Sequence, residues 1–351
     1  MLRSLVVLAS VVSAFAGRSP NAEFAEEVIR TYNDGRYSNN IREDALLDVP
    51  ELVRKYGYPL EEHTLVTSDG YILTMHRIPH GRDENNVPGN RPVVFLMHGL
   101  LCSSADYVLM GPGNGLGYIL AEEGFDVWMG NARGNYYSRK HLEHQPDALL
   151  NTDFWDFSWD EIGNIDLAAM IDYALDYTGR SRLHYIGYSQ GTTSFFVLTS
   201  LKPEYNDKII SMHALAPVVY LANNRNLLLN AIRFFDSRQF AHYGQGIAGK
   251  KFRRFDHGMV GNLRRYGKIS PPDYDLGKVT SPVFLHYSES DPLAHVKDVD
   301  RLWSELKNPV GKFLIQDRKF SHLDFLYGVD AKTLLYDRVL ILLKAMDALE
   351  V

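Results

Sequence analysis

From residue 93 onward the chain is punctuated by short apolar runs: Val93–Met97, Phe125–Met129, Leu183–Gly187, Ile209–Ala214, Val283–Tyr287 and Lys312–Ile315. Runs of this length with little polar alternation are the pattern of strands buried on both faces. Helical patterns lie between them. The clearest starts at Ser158-Trp159-Asp160-Glu161, an S-x-x-E capping box, continues with Ile162, Ile165, Ala169 and Tyr173 three or four residues apart, and closes at Gly179. Strands alternating with helices predict an α/β fold with a mostly parallel central sheet and helices on both faces. Ahead of this rhythm, Thr64–Ile78 places β-branched residues on both sides of Ser68-Asp69-Gly70, which predicts a hairpin, and residues 82–92 form a polar surface loop. Residues 18–49 are a polar lead-in with a charged helix around Glu23–Arg30.

One segment breaks the alternation. Between Pro217 and Ser270 no strand pattern occurs, and ten Lys/Arg face only Asp236 and Asp256, a net charge of +8 in a chain of net charge −6. This is an insertion with its own character. Charge runs of this kind are commonly solvated surface; the alternative is attraction to anionic lipids or fatty-acid products. The acidic balance of the whole chain gives no ground for nucleic-acid binding.

The first residues, MLRSLVVLASVVSAFAG, have the three parts of a secretory signal: Arg3, the apolar run Leu5–Val12, and Ala14-Phe15-Ala16 as a cleavage site. Cleavage is expected near Ala16. The apolar run is too short to span a bilayer, and no later stretch is long enough, so no transmembrane segment is expected. With 45% hydrophobic residues the chain has ample core material. The single cysteine, Cys102, excludes an internal disulfide framework and is read as a small buried hydrophobe. No N-x-S/T sequon occurs.

Candidate chemistry centres on Gly187-Tyr188-Ser189-Gln190-Gly191. A chain of this length shows about 0.1 such G-x-S-x-G pentads by chance, so the surroundings must decide. The pentad follows a strand-like run and precedes the helix-like Thr192–Leu201, the strand–turn–helix context of a nucleophile elbow. The turn is so tight that side chains at Gly187 and Gly191 would collide, which thrusts Ser189 out at the sheet edge. Serine needs a base, and the base needs an orienting acid, in the chain order Ser, Asp/Glu, His. After Val283–Tyr287 come Glu289 and Asp291; Asp291 is preferred because it stands further along the loop. After the last run comes His322, the histidine placed in a loop just beyond the final strand; His286 within a strand and His295 at a helix start are weaker candidates. The developing oxyanion needs two N–H donors: Gln190, next after the nucleophile, and Leu100, in the His98-Gly99-Leu100 loop after an early strand. No cofactor or metal is expected. Gly111–Gly117 lacks G-x-G-x-x-G spacing, and His141-Leu142-Glu143-His144 is not H-E-x-x-H.

Several stretches resemble the acid lipases of the α/β-hydrolase fold, the group that includes gastric and lysosomal acid lipases and insect relatives. They are H-G-L-L-C-S-S (98–104), G-F-D-V-W-M-G-N-A-R-G-N-Y-Y-S-R (124–139), F-W-D-F-S-W-D-E-I (154–162), L-H-Y-I-G-Y-S-Q-G-T-T (183–193), A-L-A-P (214–217) and F-S-H-L-D-F (320–325). The resemblance implies hydrolysis of neutral-lipid esters, with Ser189, Asp291 and His322 as triad and Leu100 and Gln190 as oxyanion donors. It divides the chain into a signal (1–16), a core in two parts (17–216 and 271–351) and a cap and lid insertion (217–270). The family's cap is markedly longer and often carries cysteines; here an internal piece is missing. Family members bound for lysosomes usually carry glycans, so secretion is expected over the lysosomal lumen. Two rivals stand beside a neutral-lipid lipase: a carboxylesterase for smaller soluble esters, and a catalytically silent lipid-binding protein. The expected partner is a lipid ester at a lipid–water interface; no residue pattern sets the oligomeric state.

Overall fold

The computed structural model describes residues 41–147, 153–226 and 237–350. The expected signal and the charged helix around Glu23–Arg30 lie outside the described residues, as do residues 227–236 of the insertion.

Nine strands form one sheet in the order β1-β2-β4-β3-β6-β7-β8-β9, with β5 (Lys140–His141) pairing with β2. The hairpin joins β1 (Glu61–Val66) to β2 (Tyr71–Ile78), with Val66 opposite Ile72. β2 pairs antiparallel with β4 (Asp126–Gly130). All further pairings are parallel: β3 (Val93–Met97) with β4 and with β6 (Leu183–Tyr188), then β7 (Ile209–Leu215), β8 (Val283–Tyr287) and β9 (Pro309–Leu314) in succession. β9 begins three residues before its apolar run. As the edge strand it is only half-buried, so Pro309, Val310 and Gly311 pair in the ladder without an apolar pattern to announce them.

The chain goes from β3 to β4 on one side, then returns to place β6 on β3's other side. The order therefore reverses between β3 and β6. In open α/β sheets the crevice beyond the carboxyl ends of strands at such a switch point is where ligands bind. β3 leads into His98-Gly99-Leu100 and β6 into Ser189.

The helices that position the site are buried according to their patterning. α1 (Val49–Lys55) buries Val49, Pro50, Leu52 and Val53, and α2 (Leu116–Glu122) precedes β4. The capping box forms: the Ser158 hydroxyl accepts from the Asp160 amide and the Ser158 amide donates to Glu161 Oε2 at 2.8 Å. The helix is not uninterrupted, however. It widens into a π segment over Ile162–Leu167 before regular α3 (Ala168–Thr178), which Gly179 ends at φ +67°. The widened turn packs on α4 (Gln190–Leu201), where a Cβ at position 163 would stand 2.6 Å from Val197 Cβ. α4 is buried over all but its last residue, so it is apolar or neutral all round rather than amphipathic. Its Phe195 packs on Tyr185 at 4.9 Å between ring centres, and Tyr185 stacks on Phe95 at 6.0 Å, which ties α4 through β6 to β3.

Between β7 and β8 the described residues form α5 (Arg238–Gly249) and α6 (Gly258–Tyr266), and within the same connection Arg253 pairs antiparallel with Asp273. α7 (Val296–Glu305) and α8 (Asp337–Asp347) complete the layers. No helix of the described residues is long and apolar enough to cross a membrane.

Candidate active site

Ser189 sits between the last residue of β6 and the first of α4, with φ +51° and ψ −116°. A non-glycine residue there stores roughly 1–3 kcal/mol of strain, which persists only where the surroundings impose it. They do so here. The Ser189 amide donates to Leu215 O at 3.0 Å, and Ser189 O accepts from the Thr192 amide and hydroxyl at 2.9 and 2.6 Å. A Cβ on Gly187 would stand 2.7 Å from the Gly191 carbonyl carbon, and one on Gly191 would stand 2.1 Å from Met97 O. Any larger residue at either position would push the turn apart.

The side chains expected from chain order come together. His322 Nε2 lies 2.9 Å from Ser189 Oγ, and His322 Nδ1 lies 2.7 Å from Asp291 Oδ2. With Nδ1–H donating to the carboxylate, Nε2 is the free acceptor for the serine proton. Asp291 Oδ1 accepts from the Leu293 and Ala294 amides at 2.8 and 2.9 Å, so both carboxylate oxygens are engaged and its rotamer is fixed. All three side chains are buried. Glu289 is exposed, His286 is enclosed within β8, and the His295 ring caps α7 by accepting from the Lys297 amide. The His322 loop is held from below, where the Tyr188 hydroxyl donates to His322 O at 3.0 Å. It is held again from within, where the Ser321 amide donates to Asp324 Oδ2 at 2.7 Å.

Gln190 follows the serine directly, and Leu100 follows Gly99, where an added Cβ would stand 3.3 Å from Ser189 Cβ. Gln190 occupies the first position of α4, where an amide has no intrahelical acceptor. Its side chain points elsewhere: Oε1 accepts from Tyr243 Oη at 2.7 Å and Gln239 Nε2 at 3.2 Å, both on α5. The insertion is thereby tied to the nucleophile turn. A cavity of about 30 Å³ lies beside Gln190, lined also by His98, Leu101, Cys102, Asn135 and Gln239. It flanks the serine rather than containing it.

Several supporting residues escaped the reading of the sequence. His98 Nδ1–H donates to Gly99 O at 2.7 Å, while Nε2 accepts from the Ala132 amide at 3.1 Å. Burial pushes this imidazole down to about 4, so it is a neutral strut for the Gly99 loop. Asn131 Oδ1 accepts from the Ser104 amide, and Asn135 Nδ2 donates to Asn131 Oδ1 at 2.8 Å. Arg133, 3% exposed, is gripped by Asp166 from the π segment and by Asp69 from the hairpin tip, at 2.6 Å each. Burial alone would lower the guanidinium's pKa, but ion pairing with Asp166 and Asp69 holds it above its ordinary value. The signal for these residues was the G-N-A-R-G-N block itself: polar residues directly after a fully buried strand need partners. Cys102 is half-buried rather than enclosed. Burial and neighbouring Asp106 push its thiol well up, making it a poor nucleophile. His141 Nε2 bonds to Asp69 O, and no cluster of His, Cys, Asp or Glu able to hold a metal occurs among the described residues.

Comparison with known proteins shows the family and the fold. Residues 49–111 match the partial α/β-hydrolase lipase region and residues 92–265 the α/β-hydrolase fold. Lipase 1 of Drosophila melanogaster is 39% identical, covering 88% of this chain and 82% of its own. Bos taurus gastric triacylglycerol lipase is 33% identical over 86% of this chain and 92% of its own. Homo sapiens lysosomal acid lipase/cholesteryl ester hydrolase is 32% identical over 85% and 91%. The Lipase 1 alignment runs to 373 positions, more than this chain's 351 residues, so that relative carries segments absent here. Among solved structures, an esterase of Pyrococcus furiosus superposes with a TM-score of 0.53 at 14% identity, covering 84% of this chain and 95% of its own, a likeness of fold. With its hydrolase sheet, its serine turn and these relatives, the chain belongs to the acid lipase family of the α/β-hydrolase fold and is a lipase-type carboxylic ester hydrolase.

Proposed function

We propose that this protein cleaves carboxylic esters of neutral lipids, triacylglycerol or cholesteryl ester, through an acyl-enzyme on Ser189. The observation that carries the reading is the unbroken relay Ser189 Oγ–His322 Nε2–Asp291 at 2.9 and 2.7 Å. His322 takes the hydroxyl proton as Ser189 Oγ attacks the ester carbonyl carbon. The carbonyl oxygen becomes an oxyanion, which the Leu100 and Gln190 amides receive. The tetrahedral species collapses, the C–O bond to the alcohol breaks, and His322 returns its proton to the departing alkoxide. Water then attacks the acyl-serine with the same histidine as base, releasing the fatty acid. Asp291 keeps the imidazole in the Nδ1–H tautomer and stabilises its charge. Pro217–Ser270 acts as a cap, and the signal-like first 16 residues support secretion.

Hydrolysis of an ester chain-length series, dissolved and emulsified, tests the reading against Ser189→Ala. Turnover in the variant falls by roughly six orders of magnitude. Serine-dependent activity that rises on long-chain emulsions supports the lipase. The segments lacking relative to Lipase 1 favour a second reading, a carboxylesterase, which activity confined to short soluble esters would support. No activity on either would leave a silent lipid-binding protein.

A further inference from the structure

α6 carries its large apolar side chains on the outside. Met259, Val260 and Leu263 are 67%, 65% and 56% exposed, and Ile269, just past the helix, is 66% exposed. Positions 259, 260 and 263 share one helical face. Only Asn262 within the helix is buried, and it is a staple rather than a core residue. Its amide donates to Asp256 Oδ1 at 2.7 Å and to Ile269 O at 3.1 Å, and its Oδ1 accepts from the His257 amide at 2.9 Å. Tyr266 Oη donates to Phe255 O at 3.0 Å, and the Tyr266 ring lies under Arg254, which pairs with Asp160 at 2.8 Å. The helix is thus clamped to the body with its apolar face turned outward. A soft loop would fold such side chains in; this one is held open.

The charges around the face select what it meets. Residues 257–272 contain Arg264, Arg265 and Lys268 and no Asp or Glu, in a chain of net charge −6. Arg264, Arg265 and Lys268 are exposed, and none forms an ion pair among the described residues. Arg265 also borders a cleft holding Asp156 and Glu161. The nearest acids in sequence are engaged: Asp256 by Asn262 and the Gly258 amide, Asp273 by Arg253 and Lys251. An apolar face rimmed by uncompensated cations fits a surface that offers acyl chains beneath anionic head groups.

We propose that Met259, Val260, Leu263 and Ile269, flanked by Arg264 and Lys268, form the surface by which this protein docks on anionic lipid. The proposal deepens the lipid-ester reading and rests on it for the chemistry of the partner. α6 belongs to the same insertion as α5, whose Tyr243 and Gln239 bond to Gln190 beside the nucleophile.

Co-sedimentation of full-length Ser189→Ala with phosphatidylcholine vesicles, with and without phosphatidylglycerol, tests it. Binding is expected to rise with phosphatidylglycerol and fall with salt. In that background Met259→Asp/Leu263→Asp should lower the partition coefficient at least tenfold. Arg264→Gln/Lys268→Gln should lower it about fivefold per charge on the anionic vesicles alone. The same pairs made with Ser189 intact should keep wild-type turnover of a dissolved short ester. If the aspartate pair also loses soluble turnover, the glutamine pair decides: weaker anionic binding supports the surface, unchanged binding overturns it. Unchanged vesicle binding in both pairs overturns it, as does a concentration-dependent dimer that the aspartate pair abolishes. Vesicle binding through α6 without serine-dependent hydrolysis would sink the lipid-ester hydrolase reading and leave the docking surface standing.

Discussion

Gly191→Ala tests whether the serine turn is built as tightly as its geometry states. The added Cβ would lie 2.1 Å from Met97 O, 2.8 Å from Met97 C and 3.1 Å from His98 O. Ordinary contact begins near 3.4 Å, so atoms must part by about 1.3 Å. These are backbone atoms at the end of β3, which is paired on both sides, Met97 with Gly130 and with Gly187. The strand cannot give way cheaply. The displacement falls on the His98-Gly99-Leu100 loop or on Ser189 itself, the two parts that must face one carbonyl. A 1 Å misplacement costs on the order of 100-fold in rate. Overpacking of this kind destabilises by about 1–3 kcal/mol, or a fall in melting temperature of roughly 2–4 °C per kcal/mol at this size. The assay pairs turnover of a dissolved short ester with thermal unfolding followed by circular dichroism. Gly89→Ala, where an added Cβ meets nothing within 4 Å, is the control and leaves both unchanged. A Gly191→Ala protein with wild-type turnover and melting temperature would refute the packing argument.

Three further outcomes are expected. Asp291→Asn keeps an oxygen for the Leu293 and Ala294 amides but offers an N–H to His322 Nδ1, so the fold survives and kcat falls about 10⁴-fold; a loss under tenfold in steady-state kinetics contradicts that role. Arg133→Met leaves Asp166 buried without its cation and lowers stability by about 3–5 kcal/mol in urea unfolding, and adding Asp166→Leu restores most of it; equal losses in the single and double variants would argue against an uncompensated charge. Burial pushes His76 and His98 down to about 4 and His184, His242 and His286 to about 3, and it holds His213 well below its ordinary value. These histidines stay neutral in the fold but take protons when unfolded, so their stabilisation is complete above pH 6.5 and is lost as pH falls toward 3. Each costs up to about 1.4 kcal/mol per pH unit in that window. Asp106, pushed up to about 6 by burial with its bond to Tyr327 opposing, works the other way and relaxes below that pH. The melting temperature should therefore decline from pH 7 to pH 4, and His286→Phe should flatten the slope; a flat wild-type profile would contradict the histidine account.

Elements whose patterning and burial coincide were legible in the sequence. β3 and β8 are fully buried, so their apolar runs match the strands end for end, and the hairpin flanks the turn at Ser68-Asp69-Gly70. β9 was misjudged at its start because an edge strand needs no apolar alternation. The π segment was invisible because its residues keep a helical pattern; only the close approach to α4 and the pairing of Asp166 reveal it. The meeting of Ser189, Asp291 and His322 followed from chain order and loop position. The struts beneath them did not. His98, Arg133 and Tyr188 act through partners far away in sequence, and a buried polar residue is recognised only when its partner is seen. The outward face of α6 was hidden for the same reason, since apolar residues at helical spacing read as core until their exposure is known.

The most direct measurement is where the acyl group goes. The protein is mixed with a slowly deacylating activated ester, quenched in acid during the burst, digested and analysed by mass spectrometry. One equivalent of acyl adduct is expected on the peptide carrying Ser189, and none in Ser189→Ala. Hydrolysis that proceeds without an adduct there, or an adduct on another residue that persists in Ser189→Ala, would contradict it.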